Sequence, residues 1–420
     1  MIVAFAAGNA DGSDRQYIFS DAAGDEVPHP VDLKPAQIAK HEAAFDDAPQ
    51  PVPQGLFRYI AVLDVAEAYD DNIFSTATDR RSDFITEVSP SLRAESNWQA
   101  HYLRWQAGGE FARYLHNSDE RFDDMNGSAE GRLDLSNDTN LFGGIWFGRD
   151  HEERESPDEV HGTEPTRYLD WRSYWGAFHR FDAVSITAGG RFERLNYEDV
   201  RSPTGEINND DRDRTLYTGG GRIGYRIADK LDPFVRGAVD VRRYSHRADD
   251  QGSRRSSHGS RLVAGVTVGP FESVHAEIFA GYMSQNYDDA RLRDVRTPGA
   301  GSALRWAVTQ RTELSLSLDR TIEETTLPMA SASVQSSAGV GMKHRFADWL
   351  SADAALAGAS HEFYGIRRDD TWLSTALAAT LQLTNDLSLT SEYSRTRIVS
   401  TAEDEGFVRN RVHLSATGRF

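Results

Sequence analysis

Three short stretches of the sequence contain residue types that bind metals or nucleotides, but none has the spacing that its chemistry requires. "HEERE" begins at His151 but lacks the second histidine of a zinc-binding helix. "GGGRIG" (Gly219–Gly224) has the glycines of a dinucleotide loop, yet it lies inside an alternating segment where glycine would relieve crowding. "NNDDRDR" places Asn209, Asp211 and Asp213 at calcium-loop spacing without the glycine and distal glutamate. A solvated acidic loop is therefore favoured over a weak external calcium site, and we expect no metal or cofactor.

A nucleophilic site is also disfavoured. His413 and Ser415 share one face of the last alternating segment, but we predict that this face is internal, whereas a lipid hydrolase needs its nucleophile at the lipid interface. No Gly-x-Ser-x-Gly elbow is present in the sequence. The sequence therefore predicts a protein that is not an enzyme.

The remaining charged side chains share strand faces with one another. In "FVRGAVDVRRY", Val235 and Val239 lie on one face, while Arg236, Asp240 and Arg242 lie on the other. We predict that the charged faces line a lumen that is nearly balanced and slightly arginine-rich. The predicted pore-lining residues are Arg104, Glu110, Arg132, Arg172, Arg191, Arg222, Arg226, Arg236, Asp240, Arg242, Glu277, Arg305, Arg411 and Arg419. Two interpretations remain open: charges that only pair with one another in a wet interior, or a cationic stripe that conducts anionic or sugar solutes.

Strict alternation over segments of ten or more residues predicts β-strands from about residue 56 to the end. In "TELSLSLDR", for example, Leu314, Leu316 and Leu318 oppose polar residues. Eight short connections rich in Asn, Asp and Gly alternate with nine long acidic ones, such as 151–166, 198–212 and 286–299. These connections join about eighteen strands.

Composition excludes several classes of protein. The chain has 420 residues, a net charge of −19 and no cysteine, which argues against nucleic acid as a partner and removes thiolate sites and disulfides. Aromatic residues reach 10%, so disorder is a poor interpretation. No apolar run is long enough for a transmembrane helix.

Together these features predict an all-β fold, a transmembrane antiparallel β-barrel of about eighteen strands over residues 56–420 with a short irregular N-terminal extension. We expect it in the bacterial outer membrane, with the lipid bilayer and lipopolysaccharide as its surroundings and an aqueous channel inside. Residues 1–10 look like a signal-peptide remnant, and residues 11–55 form a proline-rich periplasmic segment. The last strand, with Val412, Leu414 and Phe420 on one face, resembles the signal that the outer-membrane assembly machinery reads.

A family resemblance begins at "EAYDDNIFSTATDRRSDFITEVSPSLRAES", residues 67–96. This stretch resembles the opening of the second family of putative outer-membrane β-barrel porins. The matching residues are Tyr69, Asp70, Asn72, Phe74, Asp83, Phe84 and Pro90. Because such proteins often accompany exopolysaccharide systems, the resemblance implies a channel or secretion conduit for an anionic exopolysaccharide, with polysaccharide-export components as partners. The alternatives are a general diffusion porin for small solutes and a non-conducting scaffold barrel that binds a partner.

Overall fold

The computed structural model describes residues 55–420 except 229, 270 and 272, so the predicted segments 1–10 and 11–55, apart from residue 55, lie outside the described residues. Within this range there are twenty strands and two short 3-10 turns, Ser118–Glu120 and Asp210–Arg212. No helix of the described chain has the length and apolar character needed to cross a membrane. The strands are β1 (Phe57–Asp70), β2 (Asp83–Ser96), β3 (Tyr102–Tyr114), β4 (Phe122–Ser136), β5 (Thr139–His151), β6 (Arg167–Phe181), β7 (Val184–Tyr197), β8 (Val200–Ser202), β9 (Gly205–Ile207), β10 (Arg214–Tyr225), β11 (Leu231–Tyr244), β12 (Ser257–Val268), β13 (Val274–Tyr287), β14 (Val295–Thr309), β15 (Thr312–Glu324), β16 (Ala332–Ala347), β17 (Leu350–Tyr364), β18 (Asp369–Gln382), β19 (Leu387–Ser400) and β20 (Phe407–Arg419).

Eighteen of these strands form one closed antiparallel sheet, while β8 and β9 form a separate small hairpin in a connection. Closure is achieved by β1, which pairs with both β2 and β20. At the end of this seam, the backbone of Phe420 exchanges two hydrogen bonds with Ala61, of 2.8 and 3.1 Å. The predicted antiparallel barrel of eighteen strands is confirmed.

The two ends of the barrel differ as predicted. Eight connections of two to five residues lie at one end, here called the short-turn end, together with the start of β1 and the end of β20. Nine connections of four to sixteen residues lie at the other, the long-loop end. One boundary was wrong: 286–299 was predicted as a connection, but β14 begins at Val295. Pro298 is accommodated because β14 pairs with β15 only from Ala300 onward, so its missing N–H leaves no gap in that ladder.

The outer surface of the wall is apolar and the inner surface is polar. Side chains such as Val239 (63% exposed), Leu262 and Ile278 point outward, while their strand neighbours are buried or half-buried. Pro90 also points outward, and the ladder between β2 and β3 is interrupted at residues 89 and 90, where proline has no N–H to donate. Gly220 of the "GGGRIG" stretch lies within β10, where a Cβ would approach the carbonyl oxygen of Gly237 to 2.7 Å. This glycine therefore relieves crowding in the wall, as the sequence predicted.

Candidate pore and its mouth

The predicted pore-lining residues lie on the interior face of the wall, with one exception. Arg226 has the expected parity, but β10 ends at Tyr225, so Arg226 is exposed in the turn at the short-turn end and does not belong to the wall. The interior residues are Arg104, Glu110, Arg132, Arg172, Arg191, Arg222, Arg236, Asp240, Arg242, Glu277, Arg305, Arg411 and Arg419. Their contact with a permeating solute stays a prediction.

Many interior arginines pair with a carboxylate on the same strand or on the next one. Arg191 and Glu193 are two residues apart, which places them on one face, and their side chains approach to 2.8 Å. Arg104 pairs with Glu130 of the neighbouring strand at 2.8 Å. Pairs of the same kind join Arg132 to Asp134, Arg172 to Asp170 and Arg305 to Glu313. Mutual pairing, one of the two interpretations left open by the sequence, therefore describes much of the wall.

The interior faces of β10, β11 and β12, here called the arginine sector, have a different balance of positive and negative charge. They carry five arginines and only two carboxylates, Asp232 and Asp240. The five arginines are Arg214, Arg222, Arg236, Arg242 and Arg261. Acidic residues omitted from the predicted set, including Asp64, Asp124 and Glu323, also face inward elsewhere. The arginine sector thus has a local surplus of positive charge on its interior face.

Within the arginine sector, two guanidinium groups stack on aromatic rings. The guanidinium carbon of Arg222 lies 4.0 Å from the ring centre of Phe234, and that of Arg236 lies 4.6 Å from Phe279. Both arginines approach Glu277 of β13, at 3.7 and 3.5 Å. Both arginines are buried, at 3% and 5% exposed, and each combines a cation–π contact with an approach to a carboxylate.

The family motif holds the first hairpin against the last strand. Asp70 is completely buried and accepts hydrogen bonds from the Asn72 backbone at 2.9 Å and from Nε of Arg409 at 2.6 Å. The Asn72 side chain donates to the carbonyl of Val408 at 3.1 Å and to that of Thr76 at 2.9 Å. The motif therefore stabilises the seam and the first long loop.

The other motif residues have separate places. Tyr69 and Phe84 are in contact on the outer surface, with ring centres 5.2 Å apart and ring planes tilted by 52°, and Phe74 lies beneath the guanidinium of Arg154. Asp83 accepts two hydrogen bonds of 2.8 Å from Asn117, one from its backbone and one from its side chain, at the base of the next loop. Pro90 points outward, as described above.

The last strand, β20, has His413 and most of its other polar side chains on the inner face and most of its apolar side chains on the outer face. His413 lies 3.2 Å from Glu87, which also pairs with Arg411, so His413 is internal as predicted. Val412 and Leu414 are about half exposed on the outer surface. With Phe420, they form the apolar face expected of the assembly signal, and its recognition stays a prediction.

At the long-loop end, β15 parts from β14 and bends over the interior together with β16, which remains paired with β17 to Ala332. β15 separates from β14 above Ala300. Above that point, Ile322 and Val334 have the parity of the outer face, yet they are buried in a cluster with Met283 and Val295 from the inner faces of β13 and β14. The hairpin tip, residues 325–331, is consequently directed into the opening.

The hairpin tip is fixed by side chains from distant loops. Arg255 donates to the carbonyls of Thr325 and Ala330 at 2.9 and 3.0 Å, and its Nε donates to Asp249 at 2.7 Å. Asp158 accepts a hydrogen bond of 2.6 Å from the Thr325 hydroxyl. Below the tip, Glu324 pairs with Arg242 and accepts from the Tyr244 hydroxyl at 2.6 Å, which connects the tip to the arginine sector.

The connection 152–166 also turns inward. Glu152 is fully buried and accepts from both terminal nitrogens of Arg212, at 2.7 and 2.9 Å, while Arg212 lies 4.1 Å over the Tyr197 ring. Arg154 pairs with Glu120 and Glu159, each at 2.6 Å. The sequence predicted a long acidic connection here, and the structure shows that arginines distant in sequence neutralise several of its carboxylates. We call this connection together with the hairpin tip the mouth plug.

Glu159 and His161 of the mouth plug form a hydrogen-bonded pair in which both groups have shifted pKa values. Burial by itself would raise the pKa of Glu159, but the hydrogen bond from His161 and the charge of Arg154 outweigh it, so the pKa of Glu159 lies below its usual value. The same hydrogen bond, of 2.8 Å, raises the pKa of His161. At neutral pH the Glu159 carboxylate is therefore ionised and held by both partners.

The "NNDDRDR" stretch does not form a calcium site. The Asp213 carboxylate accepts from the Tyr197 backbone at 2.7 Å, whereas Asp211 accepts from the Asp250 backbone at 3.2 Å. The amide of Asn209 donates to the carbonyl of Glu198. Over residues 55–420, with the three gaps given above, no group of three or more His, Cys, Asp or Glu side chains could hold a metal ion.

Sequence reasoning missed the arginines of the mouth plug. Arg154, Arg212 and Arg255 lie in connections, where alternation carries no information about orientation. Each of them also has partners 34 to 75 residues away, and no local spacing indicates those contacts. The signal in the sequence that could have indicated these contacts is the presence of arginine within connections that are otherwise acidic.

Known proteins resemble this chain at the level of family and fold. The family profile described as "Putative beta-barrel porin 2" matches residues 49–420. No curated protein matches the sequence. The siderophore receptor PirA from Pseudomonas aeruginosa is similar with a TM-score of 0.41 and 8% identity, over 88% of this chain and 81% of that one. The outer membrane protein OpdK from the same organism is similar with a TM-score of 0.47 and 11% identity, over 86% and 99%.

Proposed function

The chain belongs to the family described as putative beta-barrel porin 2, and from this premise we propose that it forms an outer-membrane channel for anionic solutes, with an anionic exopolysaccharide as its cargo. The long-loop end then faces the exterior and the short turns face the periplasm. Transport through such a channel is passive, and the proposal includes no catalytic step.

The observation that carries the proposal is the arginine sector. Arg222 and Arg236 are interior, stacked on Phe234 and Phe279, and associated with Glu277. Guanidinium groups bind carboxylates in a bidentate manner, and aromatic rings offer surfaces for sugar rings. A polymer of acidic sugars needs both kinds of contact repeatedly and weakly, since tight binding would stop its movement.

The test is conductance in planar bilayers with a salt gradient. Charges that line a lumen act on an ion at contact distance, whereas loop charges are screened within about 8 Å at physiological salt. We therefore expect weak anion selectivity despite the net charge of −19. Replacing both Arg222 and Arg236 with Gln should shift the reversal potential toward cation selectivity, and it should weaken current block by oligogalacturonate relative to neutral dextran.

The matched control is Arg243→Gln, which removes an arginine from the outer face of β11 and should leave selectivity unchanged. A strongly cation-selective wild-type channel, or an equal shift in the control, would contradict the proposal. A general diffusion porin would show the conductance and its selectivity, but no preference for the acidic oligosaccharide over the neutral one.

A second candidate is a non-conducting scaffold barrel that binds a partner, and the mouth plug favours it. Loop 152–166 and the hairpin tip narrow the exterior opening through buried contacts such as Arg255 to Thr325. Bilayers that stay silent for the wild type, and become conducting after deletion of residues 325–331, would support this candidate. Macroscopic current from the unaltered protein would exclude it.

A further inference from the structure

The outer face of β19 changes from mainly apolar to basic partway along the strand. Its outward side chains are Leu387, Leu389 and Ser391 in the half nearer the short-turn end, followed by Tyr393, Arg395, Arg397 and Val399. Both arginines are exposed and point in the same direction as Leu389 and Tyr393. Two adjacent cations therefore lie on the surface that otherwise faces lipid.

The position of these arginines along the barrel axis follows from strand geometry. A strand rises about 3.4 Å per residue, and transmembrane strands tilt by about 40°. Arg395 is eight residues above Leu387 and Arg397 is ten, which places them roughly 21 and 26 Å above the lower end of the strand. Because the apolar band of such barrels is about 25 Å tall, both arginines lie at its outer edge, just above the Tyr393 ring.

The surrounding residues orient one arginine and leave its remaining donors available. The terminal nitrogen of Arg395 donates to Oδ1 of Asn410 at 2.8 Å, and the Tyr393 hydroxyl donates to the same oxygen at 2.9 Å. Asn410 is itself fixed, since its amide donates to Asp71 at 2.6 Å. The Arg395 guanidinium is thus held in place by a neutral acceptor.

Three other outward arginines near the rim are paired with carboxylates. Arg113 pairs with Asp123 at 2.6 Å, Arg149 with Glu198 at 3.1 Å, and Arg243 with Asp288 at 3.1 Å. Among the ion pairs of the described residues, none includes Arg395 or Arg397. Arg395 and Arg397 therefore differ from these three arginines in having no carboxylate partner among the described residues.

We propose that Arg395 and Arg397 form a binding site for a phosphate group of lipopolysaccharide in the outer leaflet. An arginine facing lipid is costly unless an anion of the headgroup layer neutralises it, and lipid phosphates lie at this level. The guanidinium fork binds phosphate oxygens in a bidentate manner. Below and beside the arginines, Leu377, Leu373 and Val412 are about half exposed and would contact the acyl chains of the same lipid.

The test is lipid binding by the purified, folded barrel in detergent, measured by native mass spectrometry and by titration. The probes are bisphosphorylated lipid A and the same lipid with both phosphates removed. The wild type should bind the phosphorylated form selectively. The double variant Arg395→Gln and Arg397→Gln should bind it roughly 10- to 30-fold more weakly, since each surface arginine contributes about fivefold.

The matched control is Arg243→Gln, whose outward arginine already has a carboxylate partner, and its affinity should stay within twofold of the wild type. Heat-modifiable gel migration establishes that the variants are folded, so the result is independent of the proposed function. Equal binding by the double variant, or equal binding of dephosphorylated lipid, would overturn the proposal. Displacement of lipid A by millimolar inorganic phosphate would also overturn it, because the ligand would then be a soluble anion.

Discussion

The arginines of this protein form two kinds of interior contact, which differ in how far apart the two partners are in the sequence. On the wall, an arginine such as Arg191 pairs with a carboxylate two residues away, because strand geometry places both side chains on one face. At the mouth, Arg212 and Arg255 bind groups 60 or more residues away, and each contact holds a loop that has little secondary structure of its own. Removing one partner of a buried pair of this kind leaves an uncompensated charge, which costs about 3–5 kcal/mol.

At the residue scale, the pKa shifts of Glu159 and His161 predict how pH affects the mouth plug. The folded-state pKa of Glu159 is lowered, so its stabilisation is present at neutral pH and is lost as pH falls through that lowered value. The folded-state pKa of His161 is raised, so its stabilisation is complete below the usual value of 6.5 and is lost as pH rises through the raised value. The contacts of loop 152–166 should therefore be strongest at pH values between the pKa of Glu159 and the pKa of His161.

Titration of His161 by NMR should give a pKa above 6.5, and the amide of His161, which donates to Glu159 at 2.7 Å, should lose exchange protection at alkaline pH. The charged groups that also act on this pair are Arg154 and Glu405. In Glu159→Gln the pKa of His161 should return toward its usual value. Protection that does not vary across the His161 titration in the wild type would contradict the assignment.

At the scale of elements, strands were predictable and the ends of hairpins were not. Alternation in "FVRGAVDVRRY" correctly gave β11 and both of its faces, because one face must be apolar against lipid and the other polar. The same rule fails for Ile322 and Val334, which have outward parity but are buried inside. Where a hairpin leaves the wall, parity no longer specifies an environment, and contacts with other strands decide it.

The assignment of β11 faces predicts unequal effects for two adjacent substitutions. Val239 is 63% exposed on the outer surface near the middle of the strand, so Val239→Arg should lower the free energy of unfolding by about 2–4 kcal/mol. Asp240 is interior and contacts Arg242 at 3.2 Å and Gln285 at 3.4 Å, so the nearly isosteric Asp240→Asn should cost much less. Reversible unfolding in lipid vesicles measures both. If the ranking were reversed, the inward and outward faces of β11 would be exchanged.

At the scale of the whole molecule, the even number of strands places the start of β1 and the end of β20 at the short-turn end. The mouth plug makes the long-loop end compact. A residue in a connection of the long-loop end is therefore not always accessible to solvent. Ser156 is 7% exposed although it belongs to a long loop, whereas Glu206, in the β8–β9 hairpin, is exposed. Asn385 is exposed in a short turn at the opposite end.

The absence of native cysteine allows these three environments to be compared by single substitutions. On intact cells, a membrane-impermeant maleimide should label Glu206→Cys and should not label Asn385→Cys, which faces the periplasm. Ser156→Cys should resist labelling in spite of its long loop, because Ser156 is buried in a loop that the ion pairs of Arg154 with Glu120 and Glu159 hold in place. Adding Arg154→Ala to Ser156→Cys should raise its labelling toward that of Glu206→Cys, while all three sites should react equally after denaturation. Labelling of Asn385→Cys alone would invert the topology, and rapid labelling of Ser156→Cys with Arg154 intact would show that the mouth plug is open in the membrane.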